Sequence, residues 1–393
     1  IDFTNPGAVE WMKNLLRPLL RMGVDVFKTD FGEGVWTDAI AHNGMTGERL
    51  HNLYPLLYND VIAEVTREVT GGPGLVWGRS TYAGGQRHAA QWAGDPLCTY
   101  GALAATLRGG LSMAMSGHPF WSHDIGGFKG RPTADLYVRW AQLGLFSPLS
   151  RAHGTTSRLP WDYGEDAERI FRDYVRLRYR LLPYVYSYAR VAANTGVPIM
   201  RPMVLEFPDD PATYSLDLQY MFGAELLVAP IYNSRGERPI YFPPGSWIDY
   251  WTHELIAGPQ TRWVTAPLHI MPLYVRAGAL IPTIEPPEYI AGEQPWDLVT
   301  VDAYVLQGGD FALHDTDGVT FLTVRRDGTS VNMHVEGPKK RLGLRFLPLP
   351  GVPAIGRVTV NGQALAQVRG LDAVSSGWVH EVDGMVRVLI NLG

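Results

Sequence analysis

The stretch Phe27-Lys28-Thr29-Asp30-Phe31-Gly32-Glu33 closes an apolar run that begins at Val24. A short apolar run that stops at a turn residue, here Gly32, reads as a buried strand over Val24–Asp30. Similar runs follow at Leu75–Ser80, Gln91–Asp95, Pro119–Asp124 and Leu145–Arg151. Between them lie helical candidates at 6–21, 49–69, 101–115, 133–144 and 165–192. The second is the clearest, with Leu50, Leu53, Leu57, Val61, Val65 and Val69 at helical spacing. Asn5 and Pro6 suit the cap and first turn of the first helix, and Pro18 is expected to kink it. Strands alternating with helices predict a parallel sheet, best fitted by a (β/α)8-type barrel. Only about five βα units are visible where a closed barrel needs eight. Ile1 also runs straight into a helix start, so the barrel is expected to be N-terminally incomplete and the piece alone to lack activity.

From about Val197 the texture changes. Leu226–Pro230, Ile240–Phe242 and Leu273–Val275 are short β-rich runs separated by Pro and Gly. Residues 1–193 are read as the C-terminal part of a barrel, 194–284 as a first β-sandwich and 285–393 as a second. In the last, Val358–Val360 and Val386–Ile390 read as strands and Asn361-Gly362 as a hairpin turn. Each β segment is expected to have its own core.

Composition narrows the function. Hydrophobic residues make up 46% and charged residues 19%, which suits a large folded core rather than disorder. A net charge of −5 gives no reason to expect nucleic acid, and no apolar run reaches the length of a membrane span. The single cysteine, Cys98, excludes an internal disulfide and a zinc site built on paired cysteines. It leans toward a reducing, cytoplasmic compartment, although targeting signals would lie upstream of Ile1. No cofactor is expected, and homo-oligomer formation stays open. The 12 Trp, 19 Tyr and 13 Phe are a high load of flat faces, fit both to fill a core and to stack on sugar rings.

The chemistry sits at the strand ends. Asp30 ends the first strand, where barrel enzymes carry catalytic groups. Lys28, two residues earlier, points to the same side. A carboxylate beside a cation suits a nucleophile, or equally a structural ion pair under a barrel mouth. Gln91-Trp92-Ala93-Gly94-Asp95-Pro96 places a second carboxylate at a strand end, held extended by Pro96. Gly94 admits a close ligand, and Trp92 and Tyr100 are expected to part-desolvate Asp95, which suits an acid. Its bland reading is a strand-ending turn. Two carboxylates in unlike surroundings fit glycosyl transfer through a covalent intermediate. Arg79 ends the strand between them and is expected to bind sugar hydroxyls or orient a carboxylate. His153 follows the fifth strand and is fit to donate to a hydroxyl, or to serve the structure.

At this point the sequence resembles glycoside hydrolase family 31, the α-glucosidases and α-xylosidases, over nearly its whole length. Lys28-Thr29-Asp30-Phe31-Gly32-Glu33 resembles the nucleophile motif of the α-xylosidase branch, and Trp92-Ala93-Gly94-Asp95 the acid/base motif. Trp121-Ser122-His123-Asp124-Ile125-Gly126-Gly127-Phe128 and Arg151-Ala152-His153-Gly154 resemble the next two strand ends. Residues 189–211, with Arg201-Pro202-Met203 and Glu206-Phe207-Pro208-Asp209-Asp210, resemble the passage from barrel to sandwich. The resemblance implies Asp30 as nucleophile and Asp95 as acid/base. It implies that Lys28, Arg79, Trp92, Phe128 and His153 line the sugar subsite, and that the substrate is an α-linked oligosaccharide or glycoside. It further implies an N-terminal β-sandwich and three barrel strands upstream of Ile1.

Two other classes compete. A metal hydrolase would gather His118, His123, Asp124 and His153 around an ion, but His123 and Asp124 are strand neighbours and point to opposite faces. A scaffold or binding protein on an inactive barrel would have no need of both carboxylates.

Overall fold

The computed structural model describes residues 1–286, 295–339, 341–349, 354–371 and 374–391. Its first part runs α1 (Pro6–Arg21), β1 (Phe27–Thr29), α2 (Gly47–Thr70), β2 (Val76–Gly78), β3 (Ala90–Trp92), α3 (Tyr100–Met115), β4 (Trp121–Ser122), α4 (Ala134–Leu145), α5 (Glu165–Arg180) and α6 (Leu182–Thr195). The strands pair in parallel in the order β1-β2-β3-β4, an arc of a barrel wall backed by helices. Asn5 caps α1 by accepting from Gly7 N–H at 2.9 Å, and the helix is continuous through Pro18. α2 ends where Gly71 turns left-handed at φ 68°, a conformation that suits glycine. All four strands are shorter than the apolar runs suggest.

Two expectations need correction. Leu145–Arg151 is not a strand: α4 runs to Leu145, and among the described residues the stretch meets the sheet only through Leu149 N–H, which donates to the Trp121 carbonyl at 3.3 Å, and a single parallel bridge between Arg151 and Asp124. The carbonyls in between are taken by side chains instead of a ladder. The Arg178 guanidinium donates to the carbonyls of Leu145, Ser147 and Pro148. Likewise, 165–192 is not one helix. The turn at Leu181 separates α5 from α6, because Pro183 has no N–H to continue the ladder and suits a first turn.

The second part begins with an antiparallel sheet of β5 (Met200–Pro202), β6 (Tyr220–Phe222), β7 (Leu226–Val228), β8 (Glu237–Asp249), β9 (Leu255–Thr265) and β10 (Leu273–Arg276), in the order β5-β6-β7-β10-β8-β9. The chain then forms β11 (Leu280–Thr283), β12 (Val299–Ala303), β13 (Gly309–Asp315), β14 (Gly318–Asp327), β15 (Ser330–Glu336), β16 (Arg341–Phe346), β17 (Thr359–Val360), β18 (Gln363–Ala364), β19 (Gly377–His380) and β20 (Val386–Asn391). These make a sheet ordered β11-β12-β16-β20-β19, a meander β13-β14-β15 and the hairpin β17-β18. β11 lies inside the 194–284 segment yet pairs with β12 of the later sheet. At the tip of the small hairpin, Asn361 and Gly362 both take positive φ, 50° and 79°, as a two-residue turn there requires.

Most buried apolar residues form one continuous core, apart from a small cluster of Ile62, Ala63 and Val76 between α2 and β2. It runs from Leu103 and Leu107 of α3 through Trp140 and Tyr184 to Val301, Leu344 and Val388 of the last sheet. One face of the six-stranded sheet keeps a separate cluster around Phe242 and Trp247. The later β region therefore shares its core with the barrel helices and has none of its own to itself.

Candidate active site

The ends of β1 and β2 are locked together by a polar residue on the buried face of α2. Asn59 accepts from Thr29 Oγ1 at 2.6 Å and donates to the Ser80 carbonyl at 3.1 Å. Just beyond β1 the chain turns sharply: Phe31 sits at φ 62°, costly for a bulky residue, and Gly32 at φ 101°. A Cβ on Gly32 would meet Ser80 Oγ at 2.3 Å, and that hydroxyl already donates to the Phe31 carbonyl at 2.7 Å. The turn aims Asp30 away from the strand, with its Oδ1 accepting from Phe31 N–H at 3.0 Å.

Arg79 organises the acidic groups. Its Nη1 lies 2.8 Å from Asp30 Oδ1 and 3.8 Å from Asp95 Oδ2. Its Nε and Nη2 donate to the two oxygens of Glu33 at 2.7 and 3.0 Å, a bidentate grip. The guanidinium lies 4.2 Å over the Phe31 ring. The Glu33 carboxyl is held below its ordinary range by the hydrogen bonds from Arg79, against a smaller effect of burial. Because Asp30 and Asp95 share one nitrogen, their nearest oxygens lie no farther apart than 2.8 and 3.8 Å laid end to end. That upper bound falls at the low edge of the inverting range, roughly 6.5–9.5 Å, and is compatible with the roughly 5–5.5 Å of retaining glycosidases.

The remaining expected residues gather around this centre. Lys28 Nζ is 3.6 Å from Asp30 Oδ2 and 4.2 Å from the Trp92 ring centre. Trp92 is buried, and the Arg151 guanidinium packs on it at 5.3 Å while pairing with Asp124. The rings of Phe128 and His153 lie 5.4 Å apart. His153 is held below the ordinary histidine range, first by desolvation and then by the Arg151 charge, so it is neutral at pH 7. Asp124 is fully buried, and burial raises its carboxyl above the ordinary range despite Arg151. Tyr100 does not serve Asp95 with its hydroxyl, which donates to Asp135 of α4 at 2.7 Å.

Two histidines of the competing metal reading, His123 and His118, have partners away from the carboxylates. Trp140 Nε1 donates to His123 Nδ1 at 2.9 Å, so the proton sits on Nε2, which meets Ser147 Oγ at 3.1 Å. Neither ring nitrogen of His123 is left for an ion. His118 Nδ1 faces Gln91 Oε1 at 3.3 Å. Three residues in the site were not singled out from the sequence. Glu33 stood inside the quoted motif without a role, Asn59 is a polar break in the apolar face of α2, and Asp124 was weighed only as a metal ligand.

A parallel β-arc with two carboxylates at its C-terminal edge has the layout of a glycosidase barrel. Residues 1–188 match the family description "Glycosyl hydrolases family 31 TIM-barrel domain", and residues 196–281 match "Glycosyl hydrolase family 31 C-terminal domain". The chain belongs to glycoside hydrolase family 31. It is 42% identical over 302 residues to an α-xylosidase of Emericella nidulans, covering 73% of this chain and 39% of that protein. A dextranase of Flavobacterium johnsoniae, solved with glucose, superposes with a TM-score of 0.89 at 29% identity, covering all of this chain and 54% of the other. A cycloalternan-degrading enzyme of Trueperella pyogenes, solved with a covalent intermediate, superposes with a TM-score of 0.66 at 31% identity, over 71% of this chain and 40% of that one. The chain thus spans about two-fifths of the length of the α-xylosidase it matches.

Proposed function

We propose that this chain carries the catalytic carboxylates of a retaining α-glycosidase that releases α-linked xylose or glucose from non-reducing ends. Asp30 attacks the anomeric carbon and forms a covalent glycosyl-enzyme. Asp95 protonates the departing oxygen and then takes a proton from the attacking water. The observation that carries the reading is the single Arg79 nitrogen shared by Asp30 and Asp95, which keeps the two carboxylates close. Lys28 and Arg79 hold Asp30 between two positive charges, a setting for an anionic nucleophile. Phe128 and His153 supply the sugar-facing wall, buried Trp92 backs Lys28, and neutral His153 is free to donate to or accept from a hydroxyl. The E. nidulans relative and Lys28 favour xylose; the neighbour solved with glucose keeps α-glucosides as the second reading, and sulfoquinovosides and transfer to another sugar remain to be assayed.

The test is NMR of the first sugar released from an aryl α-xyloside or α-glucoside by the protein that carries this chain. The expected first product is the α anomer. A β anomer as first product overturns the retaining assignment.

A further inference from the structure

Away from the Asp30 site, a cavity of about 750 Å³ opens between α5, the β8–β9 turn, the loop before β10 and the residues that follow β11. It shares no lining residue with the catalytic carboxylates and falls within the roughly 300–1,000 Å³ typical of small-molecule sites. Its aromatic floor is Tyr174, Tyr250 and Trp251. Tyr174 packs against Trp251 at 6.0 Å, and Tyr250 packs edge-on to it at 5.1 Å. The Trp251 indole N–H donates to the Met271 carbonyl at 2.8 Å, which fixes the plane of the ring. Trp251 and Tyr250 are both half-buried, leaving part of each ring to the cavity.

The rim carries polar groups without partners. Arg176 and Arg180 stand one turn apart on α5, and among the described residues neither guanidinium has a hydrogen bond or ion pair. Asp302, whose charge Arg180 feels, is already gripped by Arg345. The Glu285 carboxylate is likewise unpaired among the described residues. Arg169 is shared between Asp166 at 3.0 Å and Asp173 at 4.0 Å. Arg169, Arg176 and Arg180 are thus set against Asp166, Asp173 and Glu285, so the charges balance and a simple anion gains little. Flat rings under planar donors and acceptors of both signs suit a neutral polyol with apolar ring faces.

We propose that this groove is an accessory glycan-binding site that takes a short neutral oligosaccharide, with Trp251 and Tyr250 stacking on a sugar ring and Arg176 and Arg180 bonding its hydroxyls. The test follows the indole N–H resonance of Trp251, assigned through Trp251→Phe, as maltoheptaose is added to the full chain. An Asp30→Asn background prevents turnover. Maltoheptaose is expected to shift that resonance saturably, and Arg176→Gln with Arg180→Gln is expected to weaken the binding at least about fivefold. Both arginines sit on the surface of a helix, so the double variant should keep the fold. A resonance that does not move, or moves identically in the double variant, overturns the proposal. A shift produced by inorganic phosphate and not by maltoheptaose overturns the glycan assignment. The readout is binding, not turnover, so it stands whether or not Asp30 and Asp95 act as assigned.

Discussion

Glu33→Gln keeps the length of the side chain and removes its charge, so it asks what the grip on Arg79 is for. In the wild type Glu33 occupies Nε and Nη2, leaving Nη1 for Asp30 and Asp95. Without that grip the guanidinium is free to swing between the two remaining carboxylates. The expected result is a fall in kcat of about tenfold or more, with a smaller change in KM, because positioning is lost rather than ground-state binding. An unchanged kcat with lowered stability would make Glu33 a structural ion pair only. The two catalytic assignments separate in another way. Asp30→Ala should abolish turnover of every substrate, whereas Asp95→Ala should spare activated aryl glycosides, whose leaving groups need little protonation. Equal losses across a leaving-group series would refute that division. Asp30 and Asp95 were legible in the sequence because each ends an apolar run beside a turn-forming residue. The Arg79–Glu33 link was not, because it joins side chains 46 positions apart and leaves no periodic trace.

The loop between α4 and the sheet shows what patterning misses. Leu145 to Arg151 is an apolar run of strand length, and periodicity cannot tell a buried strand from the end of a buried helix. Side-chain donors decided it: Arg178 takes the carbonyls of Leu145, Ser147 and Pro148 that a strand would have offered to a neighbour, while the hydroxyls of Ser147 and Ser150 take the Leu143 and Gly144 carbonyls at the end of α4. The break between α5 and α6 was legible in principle, since Pro183 advertises a helix start. His123 belongs to the same region and titrates with it. Burial pushes it down to about 3, while the unfolded chain protonates near the ordinary value of about 6.5. Between those limits the unfolded state binds a proton that the folded state refuses. Stability should therefore fall as pH drops from about 6.5 toward about 3, by up to about 1.4 kcal/mol per pH unit from this group. The check is urea unfolding of wild type and His123→Gln across that window. Equal slopes would show that His123 is not the titrating group.

At the scale of the molecule, the β1–β4 arc has two strand edges without a strand partner among the described residues, and Asp30, the proposed nucleophile, sits beside one of them. The architecture of strands, helices and late β region was readable from texture; the sharing of one core between α3–α6 and the last sheet was not, because contacts between distant segments follow no local pattern. That shared core has a thermal consequence. Tyr184 of α6 stacks on Phe311 of β13 at 5.9 Å, and Ser187 Oγ accepts from His314 N–H at 3.0 Å, so helix layer and late sheet hold each other in place. In a scanning calorimeter such a body cannot melt in instalments. Its heat uptake should form one peak spanning both regions, with van't Hoff and calorimetric enthalpies in agreement, and cutting the chain after residue 195 should leave both pieces without a transition of their own.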